Sequence, residues 1–170
     1  MKEEIVKIQN ELIFLGRKIG APESLLFIRT GPGTDGEKFL IFEDGKFICA
    51  RDERGCQIFR RETFSSDEVL HWILDGIISR IITDSEDFRE INDVNCGRKK
   101  FLMERINLME RLSPVWGKKA REESDEELKM LDSVIAAKKT KSDTASVMER
   151  LHSWLVAKGL LPRRGSGSKR

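Results

Sequence analysis

Only two histidines and three cysteines occur among the 170 residues, and that scarcity removes most catalytic chemistry at the outset. His71 and His152 are the side chains that titrate near neutrality without help, and both fall in stretches of helical periodicity, where a structural imidazole is the ordinary role. Cys49, Cys56 and Cys96 are odd in number, show no Cys-x-x-Cys spacing and have no nearby histidine, so they read as reduced structural thiols. There is no Gly-x-Ser-x-Gly elbow and no zinc-protease motif. The stretch "TGPGTDG", Thr30 to Gly36, lacks the Lys-Ser/Thr of a P-loop and is followed by no helical pattern, which leaves it as a turn. No apolar run approaches the roughly 20 residues of a membrane span, and "MKEEIVKIQNELIF" lacks the features of a signal peptide. No enzyme activity, cofactor, metal or membrane partner is expected, and a cytoplasmic location is.

What is present is charge. The chain is 39% hydrophobic and 35% charged, which suits one well-solvated globular core. Its net charge of +2 hides an asymmetry. From Lys138 onward there are nine Lys or Arg against two acidic residues, so the preceding 137 residues carry 22 basic and 27 acidic side chains, a balance of −5. An acidic body repels nucleic-acid phosphates and steers basic protein surfaces toward itself.

Ile5, Ile8, Leu12, Leu15 and Ile19 form one helical stripe, and "GAP" at 20–22 stops it. "KFLIFEDGKFICAR" sets two apolar runs around Asp44-Gly45, a hairpin signal, and "CQIFRRETF" supplies a third strand without a clean apolar face. Ser65 and Glu68 make a capping box for a helix with a broad apolar face from Val69 to Ile82. Residues 84–97 show no sustained periodicity and read as a surface loop. A helix through Phe101 to Leu112 meets a corner at "SPVW", and a second helix carries Trp116 and Ala120 past Glu122 toward Ile135. The polar "KKTKSD" at 138–143 is expected to separate it from a last helix over about 144–158. "MERL" occurs at both 109–112 and 148–151, but its flanks do not align, so two helices share a phrase without forming a repeat.

The expected fold is α+β: an N-terminal helix and a short antiparallel meander of about three strands packed with several C-terminal helices. The division is a single α+β domain over 1–137, a basic segment and helix packed on it over 138–161, and a disordered basic tail over 162–170.

The order of "IGAPESLL", the charged hairpin, the third strand, "DEVLHWILDGI" and a helix closing in "RLSPVW" before "KKARE" resembles the immunity protein 63 family of bacterial polymorphic-toxin systems, over about residues 5–123. The resemblance implies a small cytosolic α+β protein that binds a cognate toxin domain and blocks it without chemistry of its own. Gly20, Ala21, Pro22, Trp72, Leu112, Pro114 and Trp116 are the matched positions, and they look fold-defining. Neither "TGPGTDG" nor anything beyond about Leu128 has a counterpart in the family pattern.

A basic toxin domain, such as a nuclease, is the expected partner. Local charge density points to Asp84, Glu86, Asp87, Glu90 and Asp93, or to Glu122, Glu123, Asp125, Glu126 and Glu127, as the contact surface. A half-exposed Trp116 would add an anchor, although core packing is the ordinary role of all three tryptophans. The competing reading is a nucleic-acid-associated regulator using the basic C-terminal region. That region lacks interleaved aromatic residues, so direct nucleic-acid binding is not expected.

Overall fold

A computed structural model describes residues 3–32, 36–54 and 56–157. The apolar stripe at steps of three and four forms α1, Glu3–Lys18, which buries Ile5, Ile8, Leu12 and Leu15 and places Glu3 and Glu4 at its positive end. Gly20, at φ +73°, ends it as "GAP" predicts. The Gln9 side chain ties the returning chain to α1: its Nε2 donates to the Leu26 carbonyl at 2.6 Å, and its Oε1 accepts from Ile28 N at 2.9 Å.

The meander is β1 (Lys38–Glu43), β2 (Lys46–Glu53) and β3 (Cys56–Thr63), in the order β1-β2-β3 and antiparallel throughout. Asp44 and Gly45 both have positive φ, 51° and 76°, which is what a tight hairpin with the twist of its strands requires. Register places Leu40, Cys49 and Arg61 in one row, and Lys38, Arg51 and Phe59 in the next row on the same face. Phe47 to Ala50 are buried in succession, so both faces of β2 are covered. β3 is an exposed outer strand, which accounts for its missing apolar face. The middle of "TGPGTDG", residues 33–35, lies outside the described residues.

Ser65 starts α2, Ser66–Asp84, by accepting from Glu68 N at 3.3 Å. Only half of the expected capping box forms. The Glu68 carboxylate accepts from the Thr63 hydroxyl, and Ser65 N donates to Thr63 Oγ1 at 3.0 Å, so a threonine at the strand end takes the place of the reciprocal bond. The face of α2 from Val69 to Ile82 is buried. Residues 84–97 are more ordered than their lack of periodicity suggests. They form the short α3, Glu86–Arg89, and the first turn of α4, Val94–Leu112, whose cap is Asp93 Oδ1 accepting from Asn95 N at 2.9 Å and Cys96 N at 3.0 Å.

The corner at "SPVW" is present. Ser113 is extended, Pro114 opens α5 (Pro114–Ala157), and Gly117 N donates to Ser113 O at 2.9 Å. A Cβ on Gly117 would lie 2.6 Å from Glu110 Cα, so only glycine admits this approach of the two helices. The expected break at 138–143 does not occur: α5 is one helix through it. Lysine is a good helix former, neither Gly nor Pro interrupts the run, and the Thr140 hydroxyl bonds back to the Ala136 carbonyl at 3.0 Å. The expected tail over 162–170 lies outside the described residues.

Two compact units divide the chain, Met1–Glu126 and Glu127–Arg170. The described part of the second is the stretch of α5 from 127 to 157, in which the Ser133 and Thr144 hydroxyls donate to the carbonyls of Met130 and Thr140. The first holds the core, built on Ile8, Leu12, Leu40, Leu74, Ile78 and Met109.

Candidate functional site

The first acidic group sits where α2 gives way to α3 and α4. Asp84 is held by Arg80 at 2.6 Å and Arg89 at 3.3 Å, Asp87 faces Lys100 at 3.7 Å, and Asp93 is used as a helix cap. Glu86 and Glu90 are exposed and have no cationic partner among the described residues. The same segment lines an open, largely apolar hollow of about 430 Å³, to which Phe88, Ile91, Val94 and Phe101 contribute. The Phe88 and Phe101 rings meet edge to face with centroids 6.4 Å apart, and Val94 is 83% exposed. Asp93 and Arg98 also line the hollow, with the Arg98 guanidinium over the Phe101 ring at 5.5 Å, so an apolar socket with a charged edge lies on the segment that carries Glu86 and Glu90.

The second acidic group lies on α5. Glu122 pairs with Lys118 at 3.8 Å, Glu123 turns inward to Arg105 at 3.1 Å, and Ser124 is buried between Glu123 and the exposed Asp125 and Glu126. Glu127 belongs to the second unit.

Trp116 is 5% exposed and not the half-exposed anchor that its place at a corner suggested. Starting α5 at Pro114 sends Val115 outward, 73% exposed, and turns Trp116 and Ala120 inward one turn apart. The indole lies against the His71 ring at 5.5 Å, nearly perpendicular, and its Nε1 donates to Asp67 Oδ2 at 3.1 Å. It is a core residue with a satisfied polar edge.

A second concavity was not legible in the sequence. A groove of about 650 Å³ runs between one face of the sheet and α2. Lys38, Leu40, Cys49, Phe59 and Arg61 come from the sheet, and His71, Trp72 and Asp75 from α2. Arg105 of α4, with Lys119 and Glu123 of α5, completes the lining. Lys38 lies over the Phe59 ring at 5.1 Å, while Arg61 lies over Phe59 at 5.3 Å and Trp72 at 5.6 Å. Arg105 Nε donates to Asp75 Oδ1 at 2.6 Å and its Nη2 to Glu123 Oε2 at 3.1 Å. Burial alone would weaken Arg105 as a cation, but those two carboxylates outweigh it and raise its pKa.

His71 is 9% exposed, and its Nε2 has no hydrogen-bond partner among the described residues. Burial, then the charge of Lys119, pushes the imidazole below its ordinary pKa against the opposing pull of Asp75 and Glu123. Burial likewise raises the pKa of the Cys49 thiol, with Lys38 and Arg61 opposing. These cations converge only through strand register and helix packing, so no spacing in the chain announces them.

Among the described residues no three of His, Cys, Asp and Glu are grouped so as to hold a metal ion, and no helix is long and apolar enough to cross a membrane. No curated protein and no solved structure matches the chain. A family model described as Immunity protein 63 matches residues 43–126, from the end of β1 through the first turns of α5. The matched segment contains the hairpin turn with its second strand, the third strand, "DEVLHWILDGI" and "RLSPVW", while "IGAPESLL" and all but the last residue of β1 lie outside it. Over residues 43–126, just under half of its length, the chain is similar to the immunity protein 63 family.

Proposed function

We propose that the protein binds a cognate bacterial toxin domain in the cytoplasm and neutralises it non-covalently, by covering the toxin's working surface without chemistry of its own. The observation that carries this reading is the family match over residues 43–126. The excess of 27 acidic over 22 basic side chains in residues 1–137 favours a basic toxin, as a nuclease that grips phosphate would be. The surface best suited to it is the α2–α4 turn, where the exposed Glu86 and Glu90 share a short segment with Phe88 and Ile91 of the apolar hollow. The exposed Glu122 and Glu126 of α5 offer further acidic contacts.

The test uses the toxin domain encoded beside this gene. Association rates are measured for the wild-type protein, for Glu86→Lys/Glu90→Lys and for Glu122→Lys/Glu126→Lys, at low and at moderate salt. The first variant should associate about tenfold more slowly at low salt, with the difference shrinking as salt rises. Rates unchanged in both variants would remove the acidic contact surface, and a wild-type protein that neither binds nor inhibits that toxin would remove the function.

A further inference from the structure

We infer that the groove between the sheet and α2 receives an acidic, extended peptide segment of the partner, held by Lys38, Arg61 and Lys119. The assignment of that segment to the toxin rests on the proposed function; the groove's chemistry does not. The body of the chain is net acidic, yet six cations line the groove, Arg29, Lys38, Arg61, Arg80, Arg105 and Lys119, against the two carboxylates Asp75 and Glu123. Both carboxylates are taken by Arg105, while Arg29 pairs with Glu37 and Arg80 with Asp84. Lys38, Arg61 and Lys119 therefore have no carboxylate partner among the described residues. Cations gathered without counter-charge repel one another, and an anion entering from outside relieves that repulsion.

The groove is also prepared for binding. Lys38 and Arg61 rest on the faces of Phe59 and Trp72, which restricts their rotamers and reduces the ordering cost of meeting a ligand. Arginine and aromatic side chains, with Phe27 71% exposed at the rim, are the composition of an interface hot spot more than of a pocket for a bare ion. On the wall, His71 is nine-tenths buried with Nε2 unpartnered, and a peptide backbone carries both the donor and the acceptor that a neutral imidazole nitrogen could pair with. The volume, about 650 Å³, accommodates a few residues of extended chain.

The experiment titrates the full chain with a short alternating Glu-Leu peptide and its Gln-Leu counterpart, following the Trp72 indole and His71 ring resonances by NMR. The acidic peptide should shift these signals, the neutral one should not, and Lys38→Gln/Arg61→Gln should weaken binding about tenfold or more, with Arg61→Lys intermediate. Lys38 and Arg61 are exposed, so their neutralisation leaves the core intact. No shift, equal shifts with both peptides, or binding that survives the double variant would overturn the inference. Equally tight binding of ATP or inorganic phosphate would make this a general anion site and overturn the peptide assignment. With the toxin domain as ligand, wild-type binding that the double variant leaves unchanged sinks the groove alone. Absence of wild-type binding sinks the proposed function, and the peptide titration still decides the groove.

Discussion

Trp116 donates its indole N–H to Asp67 at 3.1 Å, tying the start of α5 to the first turn of α2 across 49 residues of chain. The bond satisfies the one polar edge of an otherwise enclosed ring. Trp116→Ala should therefore cost about 3–5 kcal/mol of stability through the cavity it leaves, whereas Trp116→Phe, which mainly loses the hydrogen bond, should cost about 1–2 kcal/mol. Urea unfolding checks both. An alanine variant that stays within about 1 kcal/mol of wild type but loses its partner would restore the tryptophan as a binding anchor.

Arg105, with a side chain 13% exposed, bridges α2 and α5 through Asp75 and Glu123, whose side chains are 35% and 45% exposed. Because the carboxylates retain water, the bridge is worth less than a fully buried pair. Arg105→Met should destabilise by about 1–2 kcal/mol, below the roughly 3–5 kcal/mol for breaking a buried pair. A double-mutant cycle with Asp75→Asn should return a coupling on the order of 1 kcal/mol, and a coupling of zero would contradict the bridge.

Two helical glycines should respond in opposite directions. Gly117→Ala pushes a methyl group into the Glu110 backbone and should cost about 1–3 kcal/mol, despite alanine's better helix propensity. Gly76→Ala on α2 meets nothing within 4 Å and should stabilise by up to about 1 kcal/mol. Thermal unfolding of the pair reads the signs directly.

The pKa of His71 lies below its ordinary 6.5, so at mildly acidic pH the unfolded chain binds a proton that the folded chain resists. Stability from the neutral, buried ring is complete above 6.5 and drains away as pH falls below it toward the folded value. Urea midpoints of the wild type should fall between about pH 7.5 and 5.5 more steeply than those of His71→Phe. Parallel slopes would mean that the ring titrates as freely folded as unfolded.

The hairpin, the α2 cap and the α4–α5 corner were legible because each has a local cause: Asp44-Gly45 for paired positive φ angles, Ser65 for free amides, Ser113-Pro114 for an extended residue before a helix start. The length of α5 was misread because a polar run resembles a linker in composition, although nothing in "KKTKSD" opposes helical geometry. The cap at Asp93 was hidden for the reverse reason: the turn it starts places Val94 in solvent and buries Gly97, so no apolar period marks it. The groove belongs to neither case. Bringing Lys38 and Arg61 together requires β2 to be laid between β1 and β3 in one particular register, a fact about pairing that neither strand carries alone.

The close approach at Gly117 also bears on the order in which the chain folds. Gly117 meets Glu110 within the same corner, while Arg111, one residue along α4, must bring its guanidinium to the Lys18 carbonyl 93 residues away, where it reaches 2.7 Å. Closing a long loop costs more entropy than folding a neighbouring turn. The elbow is thus expected in the folding transition state before the ends meet. Substitution at Gly117 should chiefly slow refolding, and substitution at Arg111 should chiefly hasten unfolding.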